Sequence, residues 1–249
     1  MTDGQFPGSS LGGNAPGRRQ TLGLLDVIMV CAIASAVVLV TLLLMSAPMT
    51  RAVFDLPVSL DALILLLIEP VAIFAGIYLV LILRDRITWP ELGVRPAAPT
   101  WIAPAILSAL GCLAFAGAVS QIFERFYQTS MLDEYLKVLA PDGLTLGHEI
   151  VLILVVGGVV PLAEELLFRG VIYRWLRQRW GIVGSAVGSA FLFALAHANL
   201  RMALQIFVTG IVLAVLYERS RSIFVSTLTH MTVNTISLIL IFVYADATA

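Results

Sequence analysis

The sequence predicts an all-α protein, a polytopic bundle of about seven to eight transmembrane helices. Hydrophobic residues make up 59% of the 249-residue chain and charged residues only 12%, and the mean hydropathy is +0.97. A soluble domain has about 45–50% apolar and about 25% charged residues. The apolar residues also fall in long runs, each close to the roughly 20 residues that a helix needs to cross a bilayer.

The N-terminal region predicts a tail followed by a membrane anchor. Residues 1–20 are rich in Gly, Ser and Pro without periodicity, which is typical of disorder. The apolar run from Leu22 to Leu44 follows two arginines. It is longer than the about 7–15 apolar residues of a signal peptide, so we expect a first membrane span. Residues 21–249 then form a single transmembrane helical domain.

Six further spans are predicted from hydropathy, at about 62–83, 102–119, 149–177, 182–198, 202–217 and 223–244. The segment between the third and fourth spans, from Gln121 to His148, is polar with interspersed aromatic residues. It predicts an amphipathic helix on the membrane surface, and it is the place where an eighth span would lie.

The basic residues predict the orientation. With the N-terminus inside, ten arginines lie on the inner side and four basic residues on the outer side, and inner loops carry the excess of Lys and Arg. The N-terminus is therefore predicted to be cytoplasmic. The net charge of −1 gives no nucleic-acid-binding footprint. The inner set is Arg18, Arg19, Arg84, Arg86, Arg95, Arg174, Arg177, Arg179, Arg219 and Arg221, and the outer set is Arg51, Arg125, Lys137 and Arg201.

Charged residues interrupt the fourth predicted span. The stretch from Pro161 to Gly170 reads Pro-Leu-Ala-Glu-Glu-Leu-Leu-Phe-Arg-Gly. Charges at membrane depth are costly, so they usually face the bundle interior and mark function. Glu165 and Arg169 are four residues apart and can pair on one helical face, which leaves Glu164 for chemistry. The competing interpretation is an ion pair that only holds helices together.

Two later apolar helices carry possible partners for Glu164. Phe193 precedes His197 by one turn, and His230 precedes Asn234 by one turn; the chain has three histidines. At about 1.5 Å per helical residue, the four polar groups fall within a band of about 10 Å near the middle of the membrane. They are therefore predicted to converge. A single histidine on an apolar helix is more often a packed core residue, and the aromatic residues are expected to serve packing.

This set of residues suits peptide hydrolysis. A buried carboxylate can accept a proton from water near neutral pH, and we assign this role to Glu164, with His197 holding or polarising the water. His230 and Asn234 present N–H groups that can stabilise a developing oxyanion. The pairing of Arg169 with Glu165 would fix the geometry of the Glu-Glu-x-x-x-Arg stretch.

A zinc site is the alternative interpretation of the same residues. Glu164, His197 and His230 could form a site with two histidines, one carboxylate and an open position. However, the sequence contains no His-Glu-x-x-His signature. We therefore favour a mechanism without a cofactor.

The three motifs, Glu-Glu-x-x-x-Arg, Phe-x-x-x-His and His-x-x-x-Asn, occur in this order on separate hydrophobic helices. Together they resemble the CPBP family, also called the Abi family, which comprises CAAX prenyl proteases and bacteriocin-processing proteins. The resemblance covers about Pro161 to Asn234, within a catalytic core predicted at about 149–244. It implies a glutamate-dependent intramembrane endopeptidase in which the first-motif glutamate and second-motif histidine activate water, and the third-motif His and Asn form the oxyanion hole. The family has also been labelled metalloprotease.

We therefore predict an endopeptidase that acts in the membrane, in a prokaryotic cell, on a membrane-associated protein or peptide with or without a lipid modification. The expected partners are membrane lipid and this substrate, and the sequence predicts no oligomeric state. The alternative is a non-enzymatic bacteriocin-immunity or scaffold protein on the same fold. A transporter with a proton relay through Glu69, Glu164 and the histidines would require an internal repeat, and the sequence shows no convincing repeat.

Overall fold

The computed structural model describes residues 21–46, 58–127 and 145–248, which contain helices and no strand. The all-α class is confirmed. The predicted tail at residues 1–20 lies outside the described residues. The helices are α1, Leu24–Ser46; α2, Val58–Ile77, continued by the π-helical Tyr78–Ile82; α3, Ile102–Tyr127, after a 3₁₀ turn at Pro99–Trp101; α4, residues 146–180; α5, residues 182–196; α6, Ala203–Ser220; and α7, Ile223–Thr248.

Five helical stretches of the described residues are long and apolar enough to cross a membrane. A shorter apolar helix, Leu66–Ile82, adds to them. The protein is therefore a helical integral membrane protein, whereas the number of seven to eight crossings stays a prediction. The five stretches are Leu24–Leu43, Pro99–Phe126, Leu146–Ala196, Ala203–Ser220 and Ile223–Ala247.

One of these stretches is divided by a glycine. Leu146–Ala196 has 51 residues, far more than the about 20 that cross a bilayer. Within it, Gly181 has φ 69° and ψ −170°, a conformation that glycine adopts without the steric cost of a Cβ atom. The chain changes direction there, and this is why α4 and α5 are separate helices.

The third helix is longer than predicted. It continues to Tyr127, so residues 121–127 are not the start of a separate surface helix, as the sequence had suggested. Ile122 and Phe126 extend the apolar surface of α3 and are exposed at 56% and 81%. The remainder of the predicted surface helix, residues 128–144, lies outside the described residues.

The helices pack in pairs around α4. The strongest pairings join α1 with α2, α5 with α6, and α3 with α7, while α7 and α2 also contact the middle of α4. The connection between α2 and α3 folds back over the α6–α7 turn. Ile223 N donates to Gly93 O at 2.8 Å, and the Tyr217 hydroxyl donates to Leu92 O at 3.1 Å. Gly93 has φ 95°, and a Cβ atom there would lie 2.6 Å from Tyr217 Cε2. Only glycine fits this position.

Candidate active site

The middle of α4 departs from regular α-helix on both sides of the Glu-Glu pair. The short α-helical stretch Val160–Glu165 lies between two π-helical stretches, Val155–Val159 and Leu166–Tyr173. π-helical turns are rare and frequently occur at functional sites. Here they set the rotation of the helix that presents both glutamates to its neighbours.

Glu164 faces the two histidines of the later motifs. Its Oε1 lies 3.9 Å from His197 Nε2, and its Oε2 lies 3.6 Å from His230 Nε2. The Glu164 side chain is buried, and the three groups come from α4, from the C-terminal end of α5 and from α7. The structure thus brings together three of the four predicted catalytic side chains.

The hydrogen bond that His197 makes determines which of its two ring nitrogens carries the hydrogen and which has the lone pair that faces Glu164. Its Nδ1 lies 2.8 Å from the backbone oxygen of Phe193. A carbonyl oxygen can only accept, so Nδ1 carries the hydrogen and donates it. In the neutral ring, Nε2 then directs a lone pair towards Glu164.

His230 is held by the second glutamate of the pair. Its Nδ1 lies 3.2 Å from Glu165 Oε1, and the same oxygen accepts a hydrogen bond from Arg169 Nη1 at 2.7 Å. The expected ion pair between Glu165 and Arg169 is present, and both side chains are fully buried. Arg169 also donates through Nη2 to Gly210 O at 3.1 Å, which ties α4 to α6.

Asn234 contacts α4 instead of Glu164. Its Nδ2 donates to the backbone oxygen of Val156 at 3.0 Å. In the π-helical pattern, each N–H donates to the carbonyl five residues earlier, as Val160 N–H does to Val155 O. The N–H that would donate to Val156 O is therefore that of residue 161. Pro161 has no N–H, and Asn234 satisfies the carbonyl that the proline leaves open.

Phe193 lies at the centre of the site, although its place in the sequence predicted only a packing role. Its ring makes edge-on contacts with the rings of His197, His230 and Phe168, at centroid distances of 4.7, 5.6 and 4.9 Å. The guanidinium carbon of Arg169 lies 4.7 Å from the ring centroid. One aromatic ring therefore contacts both catalytic-candidate imidazoles and the buried cation. Its spacing of four residues from His197 was the only signal in the sequence.

Comparison with known proteins covers this part of the chain. Residues 146–236 match a family model described as type II CAAX prenyl endopeptidase Rce1-like. The predicted family resemblance is confirmed for this segment. A Bacillus subtilis (strain 168) protein named "Putative membrane peptidase YdiL" is 30% identical over 90 residues, which is 36% of this chain and 37% of that relative. The match thus spans little more than a third of either protein. No solved structure matches the chain significantly.

The CAAX-protease-like segment, residues 146–236, contains all the motif residues described above. Glu69 lies outside it, on α2, with an exposed side chain, although α2 packs against Val160–Glu165. Within the described parts of the chain, no group of three His, Cys, Asp or Glu side chains is arranged to hold a metal ion.

Proposed function

We propose that the protein is an intramembrane endopeptidase that hydrolyses peptide bonds of a membrane-associated protein or peptide. The observation that carries the proposal is the position of Glu164, whose carboxylate oxygens lie 3.9 Å from His197 Nε2 and 3.6 Å from His230 Nε2. The match to a CAAX prenyl endopeptidase family and to a relative named as a membrane peptidase supports a membrane protease of this kind.

Glu164 and His197 form the proposed water-activating pair. When Glu164 is ionised, its oxygen and the Nε2 of neutral His197 are both acceptors. A water molecule between them donates one hydrogen to each. These two hydrogen bonds leave a lone pair of the water oxygen directed towards a substrate carbonyl. Glu164 then takes the proton as attack proceeds, as a general base within hydrogen-bond reach does.

His230 and Asn234 form the proposed oxyanion-binding side. Because His230 Nδ1 faces the Glu165 carboxylate, Nε2 can donate to an oxyanion only when the ring carries both hydrogens. The Asn234 amide has two hydrogens, and one of them is used by Val156 O. The second remains for a ligand. Donors fixed in advance in a water-poor site are worth several kcal/mol of transition-state stabilisation, roughly 3–4 for one oxyanion donor.

Glu165 and Arg169 are proposed as positioning residues. They are fully buried, and they connect α4 to His230 on α7 and to Gly210 on α6. The proposed mechanism assigns every step to side chains of this chain. The alternative is a zinc ion held by Glu164, His197 and His230, and the chelator experiment below distinguishes the two.

We also propose that the arginine-rich end of the bundle faces the cytoplasm of a prokaryotic cell. Three chain segments are joined at this end: Arg179, at the end of α4, contacts Leu22 O, and Arg86, after α2, lies 3.9 Å from Asp26 at the start of α1. Among the described residues, eight arginines lie here and two, Arg125 and Arg201, lie at the opposite end. An excess of this kind is typical of the cytoplasmic side. The eight are Arg84, Arg86, Arg95, Arg174, Arg177, Arg179, Arg219 and Arg221.

The activity is tested with the full-length protein in lipid vesicles. Wild-type protein is given a peptide library in lipidated and unlipidated forms, with and without a strong chelator, and the products are identified by mass. Cleavage that the chelator leaves unchanged supports the proposal and reveals the substrate class. Loss of cleavage on chelation, restored by zinc, would replace the metal-free mechanism. Folded protein without any cleavage would favour the immunity or scaffold alternative.

A further inference from the structure

A third carboxylate lies next to the candidate active site and has no part in the chemistry proposed above. It belongs to Glu69 on α2, the helix that packs against the Val160–Glu165 stretch of α4. The charges of Glu69 and Glu164 are close enough to act on each other. Glu69 precedes Arg84 by 15 positions and Glu164 precedes Arg177 by 13, about 20 Å along a helix in each case. The two carboxylates therefore lie at one depth on neighbouring helices.

Glu69 lies on the inward face of α2. Ala72 and Ile73 follow it by three and four positions, and residues at this spacing share one face of a helix. Both are buried in the hydrophobic core of the bundle. Leu67 and Val71, two positions to either side of Glu69, lie on the opposite face and are exposed. The carboxylate is therefore turned towards the bundle and not towards lipid.

The exposure of Glu69 shows where the bundle is open. Its side chain is exposed although its helical face is turned inwards, so the neighbouring helices do not close over it. The His197 side chain, 3.9 Å from Glu164, is also 32% exposed. Glu164 thus has two exposed polar neighbours. A substrate segment that reaches Glu164 through this opening passes Glu69.

Glu69 has no counter-charge at its own depth within the described part of the chain. Of the eleven arginines described, eight lie at the arginine-rich end, Arg125 and Arg201 lie at the opposite end, and Arg169 alone lies in the middle. Arg169 is fully buried and pairs with Glu165. The described residues include no lysine. Ionisable groups at membrane depth usually pair or mark a substrate pathway, so the Glu69 carboxylate is available to a ligand.

The candidate site carries a surplus of negative charge. Arg169 offsets Glu165, which leaves the carboxylates of Glu164 and Glu69. One negative charge remains even when His230 carries both of its hydrogens, as its proposed oxyanion role requires. A surplus of this sign favours a cationic ligand and rejects an anionic one.

We propose that Glu69 binds a lysine or arginine side chain of the peptide that Glu164 cleaves, and so selects substrates with a basic residue near the scissile bond. The inference rests on the proposed peptidase function and names its substrate class. The apolar stem of a basic side chain packs against the helices while its cationic group donates a charge-assisted hydrogen bond to the carboxylate. Glu69 is the more exposed of the two carboxylates, so it binds the cation and leaves Glu164 to the water.

Peptide binding tests the inference without cleavage. Wild-type protein in phosphatidylcholine nanodiscs is titrated, in the cold, into labelled apolar peptides that are acetylated and carry one lysine at each position in turn. The reference series has norleucine, which lacks the charge, and anisotropy is read while mass shows the peptides intact. Because hydrogen bonds to charged groups are strong, we expect lysine to bind at least about tenfold more tightly at one or two neighbouring positions.

Two outcomes of this titration would count against the inference. Equal binding of the lysine and norleucine series at every position, or binding by neither, would overturn it, and this comparison requires no variant. Norleucine peptides with a free amino terminus form a third series. If they bind as tightly as the lysine peptides, Glu69 recognises a chain terminus, and the side-chain assignment is wrong.

Variants then locate the interaction. Glu69→Gln is expected to reduce the lysine preference to within about twofold, because the amide has no charge to pair with. Glu69→Asp keeps the charge on a shorter side chain and should retain part of the preference. Glu149→Gln, which removes a carboxylate from the first turn of α4, should keep all of it. A folded Glu69→Gln protein that still prefers lysine would refute the assignment.

Kinetics separate this inference from the peptidase proposal. For a cleaved lysine peptide, Glu69→Gln should raise KM at least about tenfold and leave kcat within about twofold, the pattern of lost ground-state binding. Its norleucine counterpart should be unaffected, and an equal loss for both peptides would indicate a structural role and contradict the inference. Cleavage that needs Glu164 but shows no lysine preference would keep the peptidase and refute the role of Glu69. A lysine preference that needs Glu69, without any cleavage, would keep that binding role and refute the peptidase.

Discussion

His230 Nδ1 lies 3.2 Å from Glu165 Oε1, the oxygen that also accepts from Arg169. This contact connects the first and third motifs through side chains that are buried from solvent. It gives the second glutamate of the pair a role of its own: it holds the His230 ring while Glu164 faces the opposite ring nitrogen.

The isosteric change Glu165→Gln removes the charge that balances Arg169. An uncompensated buried charge costs about 3–5 kcal/mol of stability. We expect a clear loss of unfolding free energy, measured by denaturant in detergent. The paired change Glu165→Leu with Arg169→Met should restore much of the stability, because apolar replacement of a buried ion pair is often neutral. It should not restore cleavage, since His230 then has no acceptor. Restored cleavage would show that Glu165 has no positioning role.

Asn234→Ala leaves the Val156 carbonyl without its side-chain donor. A buried group without a hydrogen-bond partner costs about 1–3 kcal/mol, and we expect destabilisation in this range. Pro161→Ala supplies a backbone N–H in the position that the proline leaves open. The double variant should therefore be more stable than the sum of the single effects, by at least about 0.5 kcal/mol. Strict additivity of the two unfolding free energies would contradict our account of Asn234.

Gly210→Ala tests the close approach of α5 and α6. A Cβ atom there would lie 2.9 Å from Ala190 Cβ and 3.3 Å from Phe193 Cδ1. The helices must move apart, and overpacking of this kind costs about 1–3 kcal/mol. The matched control is Gly111→Ala on α3, where nothing lies within 4 Å. The control should be neutral or more stable by up to about 1 kcal/mol, because alanine favours helix. Similar effects at both positions would show that the contact is not tight.

Phe193→Leu tests the central ring of the site. Leucine keeps the apolar character but loses the edge contacts with both histidines and the contact with Arg169. Such contacts are worth about 0.5–2 kcal/mol, so we expect turnover to fall about tenfold. Phe191→Leu, on the same helix with a side chain that is 59% exposed, serves as the control. Equal turnover of the two variants would return Phe193 to a packing role.

Much of the fold and part of the site follow from the sequence. Apart from the end of α3, the apolar runs predicted the helices to within a few residues, because a membrane-spanning helix must be long and apolar. The spacing of Glu165 and Arg169 predicted their ion pair. Depth along the helices also predicted that Glu164, His197 and His230 lie at one level, and the structure brings these three together.

Helix rotation and backbone irregularity explain what the sequence did not predict. Whether Asn234 faces Glu164 or Val156 depends on the π-helical stretch before Pro161, which hydropathy does not reveal. The position of Phe193 depends on how closely α5 approaches α6 at Gly210. The extension of α3 to Tyr127 was missed because polar residues among aromatic ones also suit a surface helix.

The most direct test of the central claim compares Glu164→Gln with Glu149→Gln. Both changes remove one carboxylate from α4, and Glu149 lies in the first turn, about 22 Å from Glu164 along the helix. Turnover of a cleaved peptide is measured in lipid vesicles for both variants and for wild type. The account predicts that Glu164→Gln folds and inserts but cleaves at least about a hundredfold more slowly, since general-base catalysis contributes about 10²–10⁴. Glu149→Gln should match wild type. Wild-type turnover by a folded Glu164→Gln protein would show that Glu164 does not activate the water.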